Sequence, residues 1–193
     1  IYNLTAIIAT ADLLGLEKLD VLTIVSQLES VSGRFQYIIS NDGVTAIVDY
    51  AHTPDALKNV LETINDIRTG NEKVLTVVGC GGDRDSTKRP KMARIASQLS
   101  NQVIFTSDNP RSENPQAILD EMEVGVSPEN YRKTLTVLDR RQAIKTACKL
   151  SETGDIILIA GKGHESYQEI NGIRSHFDDL EEVTNCFNQF KKK

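Results

Sequence analysis

The strongest constraint on the fold is an alternation of short apolar runs with longer amphipathic segments. Apolar runs span 74–78, 103–106, 135–138 and 155–160, and segments with apolar residues at helical spacing lie between them. Near-continuous apolar runs are typical of parallel strands that helices cover on both faces. The pattern therefore predicts an α/β fold with a doubly wound, mostly parallel sheet and right-handed crossovers.

Turn and capping residues indicate where the other elements begin and end. Asn-Asp-Gly at 41–43 and Asn-Gly at 171–172 each lie between strand-like segments, so each predicts a β-hairpin. The predicted helices span 3–14, 21–27, 54–68, 89–100, 115–124, 139–151 and 178–189. We expect a domain boundary near residue 42, with the tail of a preceding domain before it and a complete domain after it.

Glycines and charged residues follow three of the predicted strands. The loops are Gly-Cys-Gly-Gly-Asp-Arg-Asp at 79–85, Asp-Asn-Pro-Arg at 108–111 and Gly-Lys-Gly-His-Glu at 161–165. In open α/β sheets, ligands bind at the carboxyl ends of the strands. The sequence therefore predicts that these three loops open on one edge of the sheet and form a binding site.

The turn at 108–111 offers groups that suit an amino acid. The Arg111 guanidinium matches a carboxylate through two parallel hydrogen bonds, and the Asp108 carboxylate matches an ammonium group. We therefore expect a zwitterion rather than a phosphate as the ligand. Further charges in or beside the other two loops come from Arg84, Lys88, Arg89 and Glu165.

Each motif also has a purely structural interpretation. The 108–111 turn is compatible with a surface Asx-Pro turn in which Arg111 pairs with Asp108. The glycines at 79–82 either allow a close approach to a ligand or make a tight strand-to-helix connection. Asp49, just before the helix that begins at Pro54, either caps that helix or binds the hydroxyl groups of a ribose.

Composition argues against several classes of function. A formal net charge of −5 and an isoelectric point near 5.3 disfavour a general affinity for nucleic acid. No apolar run approaches the roughly 18 residues of a membrane span. Three cysteines, odd in number and far apart, indicate a reducing cytosol rather than a disulfide framework or a metal site. The chain also lacks the dinucleotide fingerprint Gly-x-Gly-x-x-Gly and an intact Walker phosphate loop.

Taken together, the motifs resemble those of the Mur ligase family in order and approximate spacing. They are Asn3, Ser-Gly-Arg at 32–34, Asp-Tyr-Ala-His-Thr-Pro at 49–54, Gly-Gly-Asp-Arg-Asp at 81–85, and the two loops at 108–111 and 161–165. The resemblance covers essentially the whole chain. It implies a Rossmann-like Mur ligase C-terminal domain over residues 42–193, preceded by the remnant of a central ATP-binding domain over residues 1–41.

The resemblance implies part of an ATP-dependent ligase of cytoplasmic peptidoglycan synthesis. Such a ligase adds meso-diaminopimelate to UDP-N-acetylmuramoyl-L-alanyl-D-glutamate, with ATP and Mg²⁺ as cofactors and with the Mg²⁺ ligands outside this chain. By the same resemblance, the residues that bind diaminopimelate are Arg84, Asp108, Asn109, Pro110, Arg111, Gly161 and Glu165. Those that contact ATP are Asn3, Arg34, Asp49 and His52. No catalytic residue and no metal ligand is expected within the chain.

The charges of the 108–111 turn favour diaminopimelate over lysine. Diaminopimelate carries an extra carboxylate at its far end, and Arg111 offers that carboxylate a partner. A lysine-adding or polyglutamate-adding relative and a non-catalytic amino-acid-binding module remain alternatives. The N-terminal domain and the phosphate loop of a complete family member are missing, so we expect the chain alone neither to hydrolyse ATP nor to ligate.

Overall fold

The chain divides into two compact units, Ile1–Val31 and Ser32–Lys193. The computed structural model describes residues 2–27 and 32–189, with side chains in the first unit described from Leu4 onwards. The second unit begins before the boundary expected near residue 42, because residues 36–39 pair with the strand that follows them. That residues 1–41 belong to a central ATP-binding domain stays a prediction.

The first unit contains two helices, α1 (Tyr2–Leu13) and α2 (Lys18–Ser26). Gly15, with φ of +73°, ends the turn after α1 in the left-handed region that glycine tolerates. Both predicted helices are confirmed, although α2 begins three residues earlier than expected. Large apolar side chains of this unit stay exposed, including Leu13 and Leu19.

Within residues 32–189, six strands form the main sheet in the order β1-β2-β6-β3-β4-β5. Their bounds are β1 Gln36–Ile39, β2 Thr45–Asp49, β3 Val74–Val78, β4 Gln102–Phe105, β5 Thr134–Thr136 and β6 Ile156–Ala160. β1 runs antiparallel to β2, and the remaining pairs of this sheet are parallel. The predicted doubly wound, mostly parallel sheet and the hairpin at 41–43 are confirmed.

Helices cover both faces of the sheet. The helices of this unit are α3 Pro54–Ile67, α4 Lys88–Leu99, α5 Pro115–Glu123, α6 Arg140–Leu150 and α7 Asp179–Gln189. Leu158 of β6 packs with apolar residues of α3, α4 and α5, whereas its neighbour Ile157 packs with those of α6 and α7. Successive side chains of a strand point to opposite faces, so the four central strands β2, β3, β4 and β6 supply both core layers. No described helix combines the length and the apolar character that a membrane crossing requires.

The helix that follows β2 is capped by Thr53, not by Asp49. The Thr53 hydroxyl accepts a hydrogen bond from the Ala56 amide at 3.3 Å, and Pro54 occupies the first turn, where its missing N–H costs nothing. Asp49 instead accepts a hydrogen bond from the Phe35 amide at 2.7 Å. The alternative in which Asp49 caps this helix is therefore wrong.

A strand is confirmed near 135–138, but the expectation that it is buried is wrong. The strand β5 is only three residues long, follows a 3-10 helix at Pro128–Lys133, and lies at the edge of the sheet. Leu135 and Leu138 are both exposed. An edge strand lacks a second neighbour, and the apolar run alone does not distinguish it from a central strand.

The predicted terminal hairpin forms a separate two-stranded sheet of β7 (Tyr167–Ile170) and β8 (Ile173–His176). Its first strand makes a bridge between Ile170 and Arg111, next to the main sheet. The hairpin thereby reaches the loop that follows β4.

Candidate functional site

The three loops predicted to converge follow β3, β4 and β6, and β3 lies between the other two in the sheet. They line one cleft of about 450 Å³ at the carboxyl edge of these strands. The predicted site residues on its wall are His52, Arg84, Asp108, Asn109, Arg111, Gly161 and Glu165. Pro110 is buried in the turn and does not line the cleft.

Charges of both signs line the cleft. Arg84, Lys88 and Arg111 supply the positive charges, and Asp85, Asp108 and Glu165 supply the negative ones. A wall of this kind suits a ligand that itself carries both signs, because each charge meets a partner of opposite sign. A larger cavity of about 550 Å³ lies beside the starts of β2 and β6, at the opposite edge, and none of the predicted site residues lines it.

The turn at 108–111 is built into the fold. Asp108 and Asn109 are buried, and one Asp108 oxygen accepts a hydrogen bond from the Asn109 amide at 2.7 Å. Arg111 donates from Nη1 to the Gly82 carbonyl at 2.7 Å, and no ion pair among the described residues joins it to Asp108. The interpretation as a surface turn closed by such a pair is therefore wrong.

Arg111 adopts a left-handed backbone conformation, with φ of +53°. Residues other than glycine rarely adopt this conformation unless the surrounding structure holds them in it. Here the Arg111 amide donates to the Glu169 carbonyl at 3.0 Å, and the Arg111 carbonyl accepts from the Asn171 amide at 2.6 Å. The terminal hairpin therefore holds the backbone from which the Arg111 side chain reaches the cleft.

Glycines let the three loops approach one another closely. A Cβ on Gly79 would lie 2.2 Å from the Thr106 carbonyl oxygen, and a Cβ on Gly161 would lie 2.7 Å from an Asp108 carboxylate oxygen. The structure thus supports the tight-connection interpretation of the glycines after β3. It also shows why the loop after β6 begins with glycine at φ of +120°.

Behind the cleft wall lies a buried lysine that the sequence analysis did not identify. The Lys162 ammonium group is fully buried and donates to Asn109 Oδ1 at 3.2 Å and to Glu165 Oε2 at 3.3 Å. The Asn109 amide group also donates to Glu165 Oε2 at 2.7 Å. The three side chains form one network that fixes Asn109 and Glu165. The position of Lys162 between two glycines was its only signal in the sequence.

Arg89 does not add charge to the cleft, contrary to expectation. Its guanidinium is buried and pairs with Glu113 and Glu121, each at 2.9 Å. Arg89 lies on the inner face of α4, where helical spacing turns it away from Lys88. Lys88, by contrast, lines the cleft and donates to the His52 carbonyl at 2.9 Å.

Of the four predicted ATP contacts, three lie around Tyr50. The Arg34 guanidinium stands 4.9 Å from the centre of the Tyr50 ring, and His52 Nδ1 lies 2.9 Å from the Tyr50 carbonyl oxygen. Burial raises the pKa of the Asp49 carboxyl, while the Phe35 amide and the Arg34 charge lower it. Arg34 and Asp49 do not line the cleft itself, and the Asn3 side chain lies outside the described part of the chain.

These groups fit a nucleotide. An exposed guanidinium can take a phosphate, and the second oxygen of the Asp49 carboxylate can accept from a ribose hydroxyl. In the described part of the chain, no group of three or more His, Cys, Asp or Glu side chains is arranged to hold a metal ion. Cys80 lines the cleft, but burial raises the pKa of its thiol to about 12.

Comparison with known proteins gives consistent results. Residues 33–163 match the family model described as Mur ligase, glutamate ligase domain. The UDP-N-acetylmuramoyl-L-alanyl-D-glutamate–2,6-diaminopimelate ligase of Cytophaga hutchinsonii is 61% identical over 178 residues, which are 92% of this chain and 36% of that protein. The ligase of the same name from Bacteroides thetaiotaomicron is 56% identical over 186 residues, or 96% of this chain and 39% of that protein.

Solved structures agree with these sequence matches. A structure of a ligase of that same name matches with a TM-score of 0.77 and 41% identity, and covers 96% of this chain and 37% of the other. UDP-N-acetylmuramate-alanine ligase from Thermotoga maritima matches with a TM-score of 0.66 at 20% identity, and shares the fold. The match covers 98% of this chain and 37% of the other. The chain thus spans little more than a third of the length of the relatives it matches.

Proposed function

This chain belongs to the Mur ligase family, and from that premise we propose that it is the amino-acid-binding part of an ATP-dependent ligase. The ligase adds meso-diaminopimelate to UDP-N-acetylmuramoyl-L-alanyl-D-glutamate, in cytoplasmic peptidoglycan synthesis. Relatives at 61% and 56% identity have diaminopimelate in their names, which supports this choice of amino acid. The proposal concerns the full-length protein, of which this chain is one part.

The observation that carries the proposal is the meeting of opposite charges from three loops in one cleft. Arg84 and Arg111 face the same space as Asp108 and Glu165. An amino-acid centre needs donors for its carboxylate and an acceptor for its ammonium group. The cleft offers both, on loops that follow adjacent strands of the sheet.

In the reaction, the role of the cleft is to hold the nucleophile. ATP supplies the phosphoryl group that makes the glutamate carboxylate of the precursor reactive. Arg111 and Arg84 bind carboxylates of diaminopimelate, and Asp108 and Glu165 bind the ammonium group of its far centre. The remaining amino group, in its neutral form, attacks the activated carbonyl carbon. The C–N bond forms, the C–O bond to phosphate breaks, and the nitrogen releases one proton. Holding the amine in one orientation replaces a chance encounter and so lowers the barrier.

The part of the chain that contacts ATP lies around Tyr50 and comprises Arg34, Asp49 and His52. Their chemistry suits a phosphate and a ribose. Asn3 belongs to the same proposal by resemblance. The Mg²⁺ ion and its ligands belong to the rest of the protein.

A substrate panel on the full-length protein tests the proposal. With ATP and the UDP-linked dipeptide, we expect kcat/KM to be at least about 30-fold higher for meso-diaminopimelate than for lysine. This is the lower limit for losing one member of a charge pair that the bound ligand desolvates. Product must depend on ATP and on the precursor. Equal use of lysine would overturn the choice of substrate, and amino-acid binding without any ligation would favour a non-catalytic module.

A further inference from the structure

A buried ion pair lies beneath the cleft, outside the motifs discussed above. It joins Arg140, the first residue of α6, to Asp179, the first residue of α7, and both side chains are fully buried. The guanidinium donates from Nε to Asp179 Oδ1 at 2.8 Å and from Nη2 to Asp179 Oδ2 at 2.7 Å. This two-bond geometry fixes the plane of the guanidinium group.

The remaining donors of Arg140 reach the backbone of two strand ends. Nη2 donates to the Ala160 carbonyl at 3.1 Å, and Nη1 approaches the Ser107 carbonyl at 3.4 Å. Each of these carbonyls belongs to the residue just before a residue of the cleft, Gly161 or Asp108. One guanidinium therefore connects the bases of two of the three loops.

No ladder of hydrogen bonds joins the strands before these two loops directly; each of the two pairs with β3. β6 and β4 are not neighbours, because β3 lies between them in the sheet. The loops nevertheless pack tightly, since a Cβ on Gly161 would come within 2.7 Å of the Asp108 carboxylate. Asn109, Lys162 and Glu165 join the two loops at the cleft. The Arg140 side chain joins them again at their bases, through the carbonyls of Ala160 and Ser107.

Electrostatics also connects Arg140 to the cleft. Burial lowers the pKa of the Arg140 guanidinium, but Asp179, and more weakly Asp108 and Glu165, raise it above its ordinary value. The buried positive charge thus interacts with two of the carboxylates proposed to bind the amino acid. It compensates part of their mutual repulsion when the cleft is empty.

We propose that Arg140, held by Asp179, is a positioning residue that fixes the spacing of the two loops contributing Asp108 and Gly161 to the amino-acid cleft. The inference rests on the proposed function for its substrate. Fold stability alone does not explain the pair, because a buried ion pair is often replaceable by apolar side chains without loss of stability. Such a replacement cannot form the bonds to the two carbonyls.

The experiment uses steady-state kinetics of the full-length ligase with three variants. Arg140→Lys keeps the charge but loses the fork that bonds both carbonyls. The double variant Arg140→Met with Asp179→Leu removes the pair without leaving a buried charge alone. The matched control is Arg141→Ala, since Arg141 pairs with Glu182 across the same two helices at 2.8 Å but is exposed.

For both Arg140 variants we expect KM for diaminopimelate to rise about ten-fold or more, which corresponds to one lost charge-assisted hydrogen bond. KM for ATP and for the UDP-linked precursor stays within about two-fold, because only the amino-acid loops shift. Arg141→Ala changes none of the three. A rise in KM for diaminopimelate alone is not expected from general destabilisation, which lowers the amount of active enzyme and therefore the apparent kcat.

Three results would overturn the inference. The first is an unchanged KM for diaminopimelate in either Arg140 variant that folds. The second is an equal rise in KM for all three substrates. The third is that neither Arg140 variant folds, because the pair would then be required by the fold itself. If the wild-type ligase does not use diaminopimelate, the proposed function fails instead, and this outcome is seen before any variant is made.

Discussion

Replacing Arg111 by alanine removes the guanidinium from the cleft and leaves the strain of the left-handed backbone at this position unchanged. Arginine and alanine both carry a Cβ, so the strain at φ of +53° is the same for both. Within the protein, the change removes one described hydrogen bond, from Nη1 to the Gly82 carbonyl at 2.7 Å. Arg111 is half-exposed, so that loss should reduce the free energy of unfolding by only about 1 kcal/mol.

The effect on the reaction should be larger, because the bound carboxylate then has no partner. Truncating one member of a desolvated charge pair costs about 2–5 kcal/mol, which corresponds to a loss of about 30-fold to 5,000-fold in kcat/KM. We expect this loss for diaminopimelate. We expect a much smaller loss for lysine, which lacks the carboxylate that Arg111 binds.

The assay is ligation by the full-length protein, with phosphate release measured as a function of diaminopimelate or lysine concentration. Arg94→Ala is the control, because Arg94 is exposed on α4 and does not line the cleft. Thermal unfolding of both variants separates a folding defect from a binding defect. Equal losses for the two amino acids, or undiminished use of diaminopimelate by the Arg111 variant, would refute the assignment of the carboxylate to Arg111.

Three further predictions concern single groups. Gly161→Ala should destabilise the protein by about 1–3 kcal/mol in urea unfolding, since it combines left-handed strain with a contact to the carboxylate of the neighbouring turn. Gly172→Ala, with positive φ but open space around it, should cost less, and an equal cost would contradict the contact. Burial raises the pKa of the Cys80 thiol to about 12, so this thiol should resist iodoacetamide at pH 8 in the folded protein and react after unfolding. Rapid labelling of Cys80 in the folded protein, found by mass spectrometry, would argue against this. The pKa of His176 is raised by its hydrogen bond to Glu181 and by the charge of that carboxylate. The pair therefore stabilises the folded protein below the ordinary pKa of 6.5, and this contribution is lost as pH rises through the raised value. Glu181→Gln should lower the His176 pKa in an NMR titration, and an unchanged titration would show that the pair has no effect.

The sheet was predictable because its central strands have a clear physical signature. Strands buried on both faces, such as β3 and β6, are near-continuous apolar runs, and the helices between them show apolar residues at helical spacing. The same signature failed at β5. Leu135 is apolar but lies on an edge strand, and a single sequence does not show whether a strand has one neighbour in the sheet or two.

Prediction of the site was successful at the level of loops and incomplete at the level of contacts. The rule that ligands bind at the carboxyl ends of strands brought Arg84, Asp108 and Arg111 to one cleft. It could not identify Lys162 or Arg140, whose side chains act from behind the cleft. Lys162 bonds Asn109, 53 positions away, and Arg140 bonds Asp179, 39 positions away. Contacts between distant segments depend on how the loops pack, and the residue types alone do not encode that packing.

The order of the strands has a consequence for how the chain is synthesised and folds. β6 lies between β2 and β3 but follows both of them by many residues, so the sheet cannot close until residue 160 has emerged. Until then, β2 and β3 each expose an unpaired edge suited to intermolecular pairing. Folding should therefore be slow for the length of this unit, because it depends on contacts between distant segments. A nascent chain that stalls before β6 should be prone to aggregation and dependent on chaperones.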